Sequence, residues 1–241
     1  MAKSKIQKIS PSVYQIDLGA VNCYLIEQPN GLTLVDAGYK GDDLKIYAAL
    51  TDIGKQPADI KQIVLTHLHA DHSGAAADIQ KKLNIPVYAS QEDGFEVSKG
   101  VSMRQNTKTT KGIMNTLLKK IFVKNIETVN TIDGVVFLKD NQVLPFGNGL
   151  VVYNTPGHSL GHIALLVKGD GLLIAGDLCA NNLGLSPSIV NEDPDSGIQT
   201  IKKLSKIDFT KACFGHGKPI LEDAKSKVIR KFGSDATNPV I

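Results

Sequence analysis

Thr66-His67-Leu68-His69-Ala70-Asp71-His72-Ser73-Gly74 packs three imidazoles and a carboxylate into one short run. Neutral imidazole and carboxylate are the usual protein ligands of borderline and hard divalent metals. In an extended segment side chains alternate with period two, so His67, His69 and Asp71 are expected on one side. His72 then turns away, and the run offers two diverging ligand sets, which suits two adjacent ions better than one. The competing reading is a polar strand-to-helix loop whose histidines are incidental. The remainder of the chain weighs against it.

Working outward, Lys61 to Leu65 reads as a strand that delivers the histidines at its carboxyl end, and Gly74 to Leu83 continues as a helix through Ala75, Ala76, Ile79 and Leu83. Upstream, Val13 to Leu18 alternates apolar and polar residues, and Val21 to Glu27 reads as a second strand. The turn Pro29-Asn30-Gly31 leads to a third at Leu32 to Val35, so a hairpin or meander opens the fold. It runs into Asp36-Ala37-Gly38, where Asp36 is equally a turn or cap residue or a carboxylate supporting a site loop. Residues 42–53 have helical spacing and Pro86 to Ala89 is a further strand. Strands alternating with helices argue for α/β architecture, with the site at the carboxyl ends of the strands.

The second half follows the same logic. Short β segments are expected at Glu127 to Ile132, Gly134 to Leu138 and Gln142 to Leu144, with longer ones at Gly149 to Asn154, Ile163 to Val167 and Leu172 to Ala175. Pro194 to Leu204 is read as a helix, Lys211 to Phe214 as a strand and Lys225 to Phe232 as a closing helix. No low-complexity linker or break in composition interrupts the chain, so residues 1–241 are read as a single domain. Each half is a β-rich stretch followed by strand–helix units, a loose internal echo that suggests two similar halves packed sheet to sheet.

The six histidines are His67, His69, His72, His158, His162 and His216. Each lies in a glycine-flanked or histidine-rich loop directly after an expected strand, and glycine lets backbone approach such a site closely. Asp177, at the end of an apolar strand, is the best additional carboxylate; alone it would read as a helix cap.

Residues 99–124 differ in character. Lys99, Arg104, Lys108, Lys111, Lys119, Lys120 and Lys124 occur there without an acidic residue between them, and Ile113, Met114, Leu117, Leu118, Ile121 and Phe122 form a helical stripe. This segment is expected to be a basic helical insertion: a packed solvated helix, a lid that attracts an anionic substrate, or a membrane-surface or partner-binding helix.

Of the 241 residues, 42% are hydrophobic and 21% charged, ordinary for a soluble globular protein, and no apolar run approaches the ~20 residues of a membrane span. The N-terminal residues are basic but lack the apolar region of a secretory signal. Cys23, Cys179 and Cys213 are odd in number and widely spaced, so no disulfide framework is expected and a cytoplasmic location is the default. A formal net charge of +3 is too small to argue for nucleic acid as a partner.

His67-x-His69-x-Asp71-His72, Pro156-Gly157-His158, Gly176-Asp177 and Gly215-His216-Gly217, preceded by Leu34-Val35-Asp36-Ala37-Gly38, resemble the motif series of the metallo-β-lactamase superfamily over nearly the whole chain. The resemblance implies a four-layer αββα sandwich with two divalent ions, zinc foremost and iron or manganese as alternatives. It places His67, His69 and His158 on the first ion, Asp71, His72 and His216 on the second, and Asp177 between them. Asp36 and His162 would support these ligands from behind. Such a centre holds a bridging hydroxide that attacks an acyl or phosphoryl group, with Asp71 orienting it and passing the proton on. Cys179 is close in sequence but is not expected to act as a nucleophile.

Departures narrow the branch. His69 stands where flavodiiron members carry Glu, and Asp177 stands where antibiotic-hydrolysing members carry another residue. Ala180 replaces the Tyr of acyl-homoserine lactonases, Gly217 follows His216 in place of the Glu-Tyr of glyoxalase II, and the protruding arm of tRNA-processing members is absent. The expectation is a small stand-alone hydrolase of an ester, lactone or thioester. The alternatives are a phosphodiester or phosphate-ester hydrolase and a mono-iron enzyme resembling persulfide dioxygenases.

Overall fold

The computed structural model describes residues 5–105, 107–109, 128–147, 149–204 and 206–233. The first half contains β1 (Lys5–Lys8), β2 (Val13–Asp17), β3 (Asn22–Gln28), β4 (Gly31–Val35), α1 (Asp43–Asp52), β5 (Ile60–Val64), α2 (Ala70–Ser73), α3 (Ala76–Leu83), β6 (Val87–Ser90) and α4 (Gln91–Val97). There follow β7 (Lys108–Thr109), β8 (Val136–Leu138), β9 (Val143–Leu144), β10 (Leu150–Asn154), β11 (Ile163–Val167) and β12 (Leu172–Ile174). The chain continues with β13 (Cys179–Ala180), β14 (Ser186–Pro187), β15 (Val190–Asn191), α5 (Pro194–Leu204), β16 (Lys211–Cys213) and α6 (Ala224–Phe232).

A seven-stranded sheet has the order β1-β2-β3-β4-β5-β6-β8, and a five-stranded sheet the order β16-β12-β11-β10-β9. The antiparallel meander β1–β4 passes into parallel pairing from β4 through β5 and β6 to β8. Burial defines the layers. Tyr24, Ile26, Val35 and Val64 of the larger sheet share one core with Val152, Ile163, Leu165 and Ile174 of the smaller, so the two sheets face each other. The other face of the larger sheet packs on α1 and α3 through Ile46, Leu50, Ala76 and Ile79. The other face of the smaller packs on α5 and α6 through Ile201, Leu204, Val228 and Phe232. The result is the expected four-layer αββα sandwich. Sheet strands buried on both faces are apolar throughout, which is why β11, Ile163–Val167, has no polar position.

Local sequence accounts for the helices. In α4 the Ser90 hydroxyl accepts the Asp93 N–H, and Glu92 and Asp93 occupy the positive first turn. Helix α5 opens on Pro194 and ends in Lys202 and Lys203.

The structure corrects several expectations. Residues 128–132 form no strand; Val129 and Ile132 are buried by packing, and the Ile132 N–H donates to the Val97 carbonyl rather than to a neighbouring strand. The helix expected over 74–83 is α3, which starts at Ala76, and the separate turn α2 before it, within the histidine run, went unread; so did α4, because only seven residues, with no long apolar stripe, form it. Within the basic segment, residues 99–105 and 107–109 are loop and the short strand β7, paired antiparallel with β15. The stripe from Ile113 to Phe122 and Lys111, Lys119, Lys120 and Lys124 lie outside the described residues. Among the described residues no helix is long and apolar enough to cross a membrane.

Candidate metal centre

Topology gathers the chemistry at one edge. β4, β5 and β6 run parallel, so Asp36 and the 66–74 run both emerge at carboxyl ends on the same side. β10 and β12 are each antiparallel to β11, and β12 is parallel to β16. The loops carrying His158, Asp177 and His216 therefore leave that same edge, and His162 sits just before β11 begins. The Ile163 N–H donating to the Thr66 carbonyl (2.9 Å) joins the two sheets there.

Three groups of donors converge: His67, His69 and His158; His67, His72 and Asp177; Asp71, His72 and His216. One expectation changes. The run is extended only as far as His69, whose ψ is 148°, and then coils into α2. That helical turn sends Asp71 to the group of His72 and His216, not to the side of His67 and His69 that strand alternation implies.

Hydrogen-bond partners fix each ring. His158 Nδ1 donates to the Val190 carbonyl (2.7 Å) and His216 Nδ1 to the Ala20 carbonyl (2.7 Å). His72 Nδ1 donates to Asp36 Oδ2 (2.8 Å). The Thr66 hydroxyl donates to Asp36 Oδ2 (2.8 Å) and so accepts from His67 Nδ1 at 3.0 Å. Each of these four rings commits Nδ1 to a partner behind it and turns Nε2 towards the site. His162 is the exception: its Nε2 accepts the Asp177 N–H (3.0 Å) and its Nδ1 meets Thr155 Oγ1 (2.7 Å). Its lone pair is already committed to holding the Asp177 backbone. Thr66, Thr155, Val190 and Ala20 were not singled out from sequence, and two of them act through carbonyls that any residue carries.

The lone pairs make the test of fit. His67 Nε2 lies 3.2 Å from His158 Nε2, and His69 Nδ1 lies 3.2 Å and 2.8 Å from these two. With the protons of His67 and His158 on Nδ1, no hydrogen bond can hold their facing Nε2 atoms together. A cation at the common focus of a tetrahedral site requires nitrogens at about such separations. Asp177 lies between the groups, 3.1 Å from His216 Nε2, 3.4 Å from His72 Nε2 and 3.6 Å from His158 Nε2. Asp71 Oδ2 is 3.3 Å from His216 Nε2 and 3.7 Å from His72 Nε2. His72 Nε2, His69 Nε2 and Asp177 Oδ1 are buried without a hydrogen-bond partner. The donor set, in type and direction, fits divalent ions.

Burial and charge divide the site. Burial, with His158 beside it, pushes His69 down to about 3, and burial holds His67 and His162 well below the ordinary imidazole value. Burial also lowers His158 despite Asp177 nearby. That half is a nest of neutral rings. In the other half burial opposes charge but loses to the carboxylates: Asp177, Asp71 and Asp36 push His72 up to about 9, and Asp177 with Asp71 pushes His216 up to about 12. Against their own burial, Asp71 and Asp177 are held well below the usual carboxylate range by His72 and His216. The side chains of His216 and Asp71 are 25% and 20% exposed, so the site opens to solvent there.

Comparison with known proteins agrees with this architecture. The model of the metallo-β-lactamase superfamily matches residues 16–216. The probable metallo-hydrolase YybB of Bacillus subtilis is 30% identical over 221 residues, which cover 87% of this chain and 88% of that one. An N-acyl homoserine lactonase of Bacillus cereus is 25% identical over 224 residues, 83% of this chain and 78% of its own length. A β-lactamase from Chitinophaga pinensis superposes with a TM-score of 0.71 over 95% of this chain and 91% of that one, at 20% identity, a likeness of fold. With its strand-end histidines, its sandwich and a match across most of its length, this chain belongs to the metallo-β-lactamase superfamily.

Proposed function

We propose that this chain is a metal-dependent hydrolase that holds two divalent ions, zinc ahead of iron or manganese, and cleaves a small ester, lactone or thioester. The observation that carries the reading is the convergence of three imidazole nitrogens within 2.8–3.2 Å, the facing Nε2 atoms of His67 and His158 both without a proton, beside a buried carboxylate that has an unpartnered oxygen. His67, His69 and His158 would hold one ion, Asp71, His72 and His216 the other, and Asp177 would touch both. Bound there, the ions supply a water nucleophile active at neutral pH, its pKa lowered towards ~7, and Lewis acidity towards the electrophilic oxygen of the substrate.

The chain's own residues do the rest. Asp71, at the solvent-facing mouth, takes the proton of the attacking water and returns it to the leaving oxygen, nitrogen or sulfur. Asp36 and His162 keep His72 and Asp177 in register. Two facts favour acyl over phosphoryl substrates. Arg104, from the basic segment, is bound to Asp93 (2.9 Å) and Glu192 (3.1 Å) and so is not available to an anionic group. A relative at 25% identity is named for lactone hydrolysis. Metal analysis should find about two ions per chain, and the metal-replete protein should turn over p-nitrophenyl acetate faster than bis-p-nitrophenyl phosphate. Turnover of the phosphodiester alone, or a single iron with oxygen uptake, would sink the acyl reading.

A further inference from the structure

Asp93 sits one turn into α4, at the carboxyl end of β6, and is 1% exposed. The partners of its carboxylate are Leu68, Ser159, Gly161 and Arg104, none of them a candidate ligand. Its carboxylate accepts four hydrogen bonds, two on each oxygen. Oδ2 accepts the Leu68 N–H (3.2 Å) and the Ser159 hydroxyl, while Oδ1 accepts the Gly161 N–H (3.0 Å) and Arg104 Nη1 (2.9 Å).

The positions of these donors matter. Leu68 lies between His67 and His69; Ser159 and Gly161 lie between His158 and His162. A single buried side chain therefore ties the loop bearing two nitrogens of the three-histidine pocket to the loop bearing the third. The approach is tight: a Cβ on Gly161 would stand 2.4 Å from Ser90 Oγ, 2.5 Å from Asp93 N and 2.6 Å from Asp93 Oδ1. A second strut runs beside the first. Arg104 also reaches Glu192, whose Oε2 accepts the Leu160 N–H (2.7 Å) and whose own N–H donates to the His158 carbonyl (3.0 Å).

We propose that Asp93 is a positioning residue that clasps the 67–69 loop to the 158–162 loop and so sets how tightly the three-histidine pocket binds its ion. The proposal rests on the metal centre assigned above. Partners behind metal ligands typically govern affinity by about 10–100-fold. Asp93→Asn isolates the effect, because either orientation of the amide turns its NH2 group onto a backbone N–H that can only donate, that of Leu68 or that of Gly161.

The test is competition of zinc against a chromophoric chelator, with cobalt absorption spectra as a second readout and melting of the metal-free protein as a control. The wild type should bind two equivalents. Asp93→Asn should bind one of them about 10–100-fold more weakly, with an altered cobalt spectrum, and leave the other unchanged. Ser159→Ala, which deletes one bond of the clasp, should weaken the same equivalent by about fivefold. If Asp93→Asn does not fold, Ser159→Ala decides alone. Variants that melt lower yet bind both equivalents as the wild type does would make Asp93 merely structural and overturn the proposal. A wild type that binds no metal would overturn the centre itself, and the clasp with it.

Discussion

Asp36 adopts a φ of 59°, a left-handed conformation that few side chains other than Asn and Asp accept, and from there its carboxylate serves Thr66 N, Thr66 Oγ1 and His72 Nδ1. Sequence left Asp36 open between a turn residue and a support. The structure gives it both features, the strained turn and the three bonds. Asp36→Ala removes all three hydrogen bonds, and loss of such a buried partner costs about 3–5 kcal/mol. Urea unfolding should register that loss, and metal titration a drop of about 10–100-fold in affinity. Asp177 lies 3.6 Å from His158 Nε2 and 3.1 Å from His216 Nε2, within reach of both proposed ions, so Asp177→Ala should reduce bound metal below two ions per chain and bring hydrolysis to background. Wild-type turnover in that variant is incompatible with the proposed site.

At the scale of elements, the strand ends matter more than the strands. Gly215 follows β16, and a Cβ there would lie 2.0 Å from Asp177 Oδ1 and 2.6 Å from His72 Cε1. Gly215→Ala should therefore damage metal binding out of proportion to stability. Leu165, in the middle of β11 and buried between the sheets, is the contrast. Leu165→Ala should cost about 2–5 kcal/mol in urea unfolding while metal stoichiometry stays the same. Equal effects of the two variants on metal content would contradict this division between scaffold and site. Elements with a strong local pattern, the helical spacing of α5 and the unbroken apolar run of β11, were legible from sequence because their own residues carry the pattern. The short α4 and the unpaired 128–132 segment were not, because packing against distant residues defines them.

For the whole molecule, the histidines couple folding, protons and metal. In the metal-free chain the carboxylates of Asp177 and Asp71 outweigh burial and push His72 up to about 9 and His216 up to about 12, both above the 6.5 of a free imidazole. A raised pKa contributes stability that is complete below pH 6.5 and is lost as pH rises through the folded value, for His72 between about 6.5 and 9. His69, lowered to about 3, has the opposite sign: the folded state keeps it neutral, and its contribution is lost as pH falls below 6.5. The metal-free protein should thus lose stability on both sides of pH 6.5. Metal ions must displace the protons of His72 and His216, so binding should release protons and tighten as pH rises towards about 9. Calorimetric titration in buffers of different ionisation enthalpy measures that release; binding without it would contradict these protonation states. At metal concentrations 100-fold above the dissociation constant, stability should rise by about 2.7 kcal/mol, and a chelator should reverse the shift in melting temperature.

The candidate donors, their order along the chain and their place after strands are readable from the sequence, because period, turn residues and ligand chemistry are properties of neighbouring residues. Which donors meet is implied only by the family resemblance, not by the spacing of the residues. His67 and His158 are 91 positions apart, and their shared focus exists only once two sheets have packed face to face. The commitment of the His162 lone pair to Asp177, and the backbone carbonyls of Ala20 and Val190 that orient two rings, were not readable at all. A carbonyl carries no signature in a sequence. Its direction is set by the fold, and through it the direction of the lone pair that meets the ion.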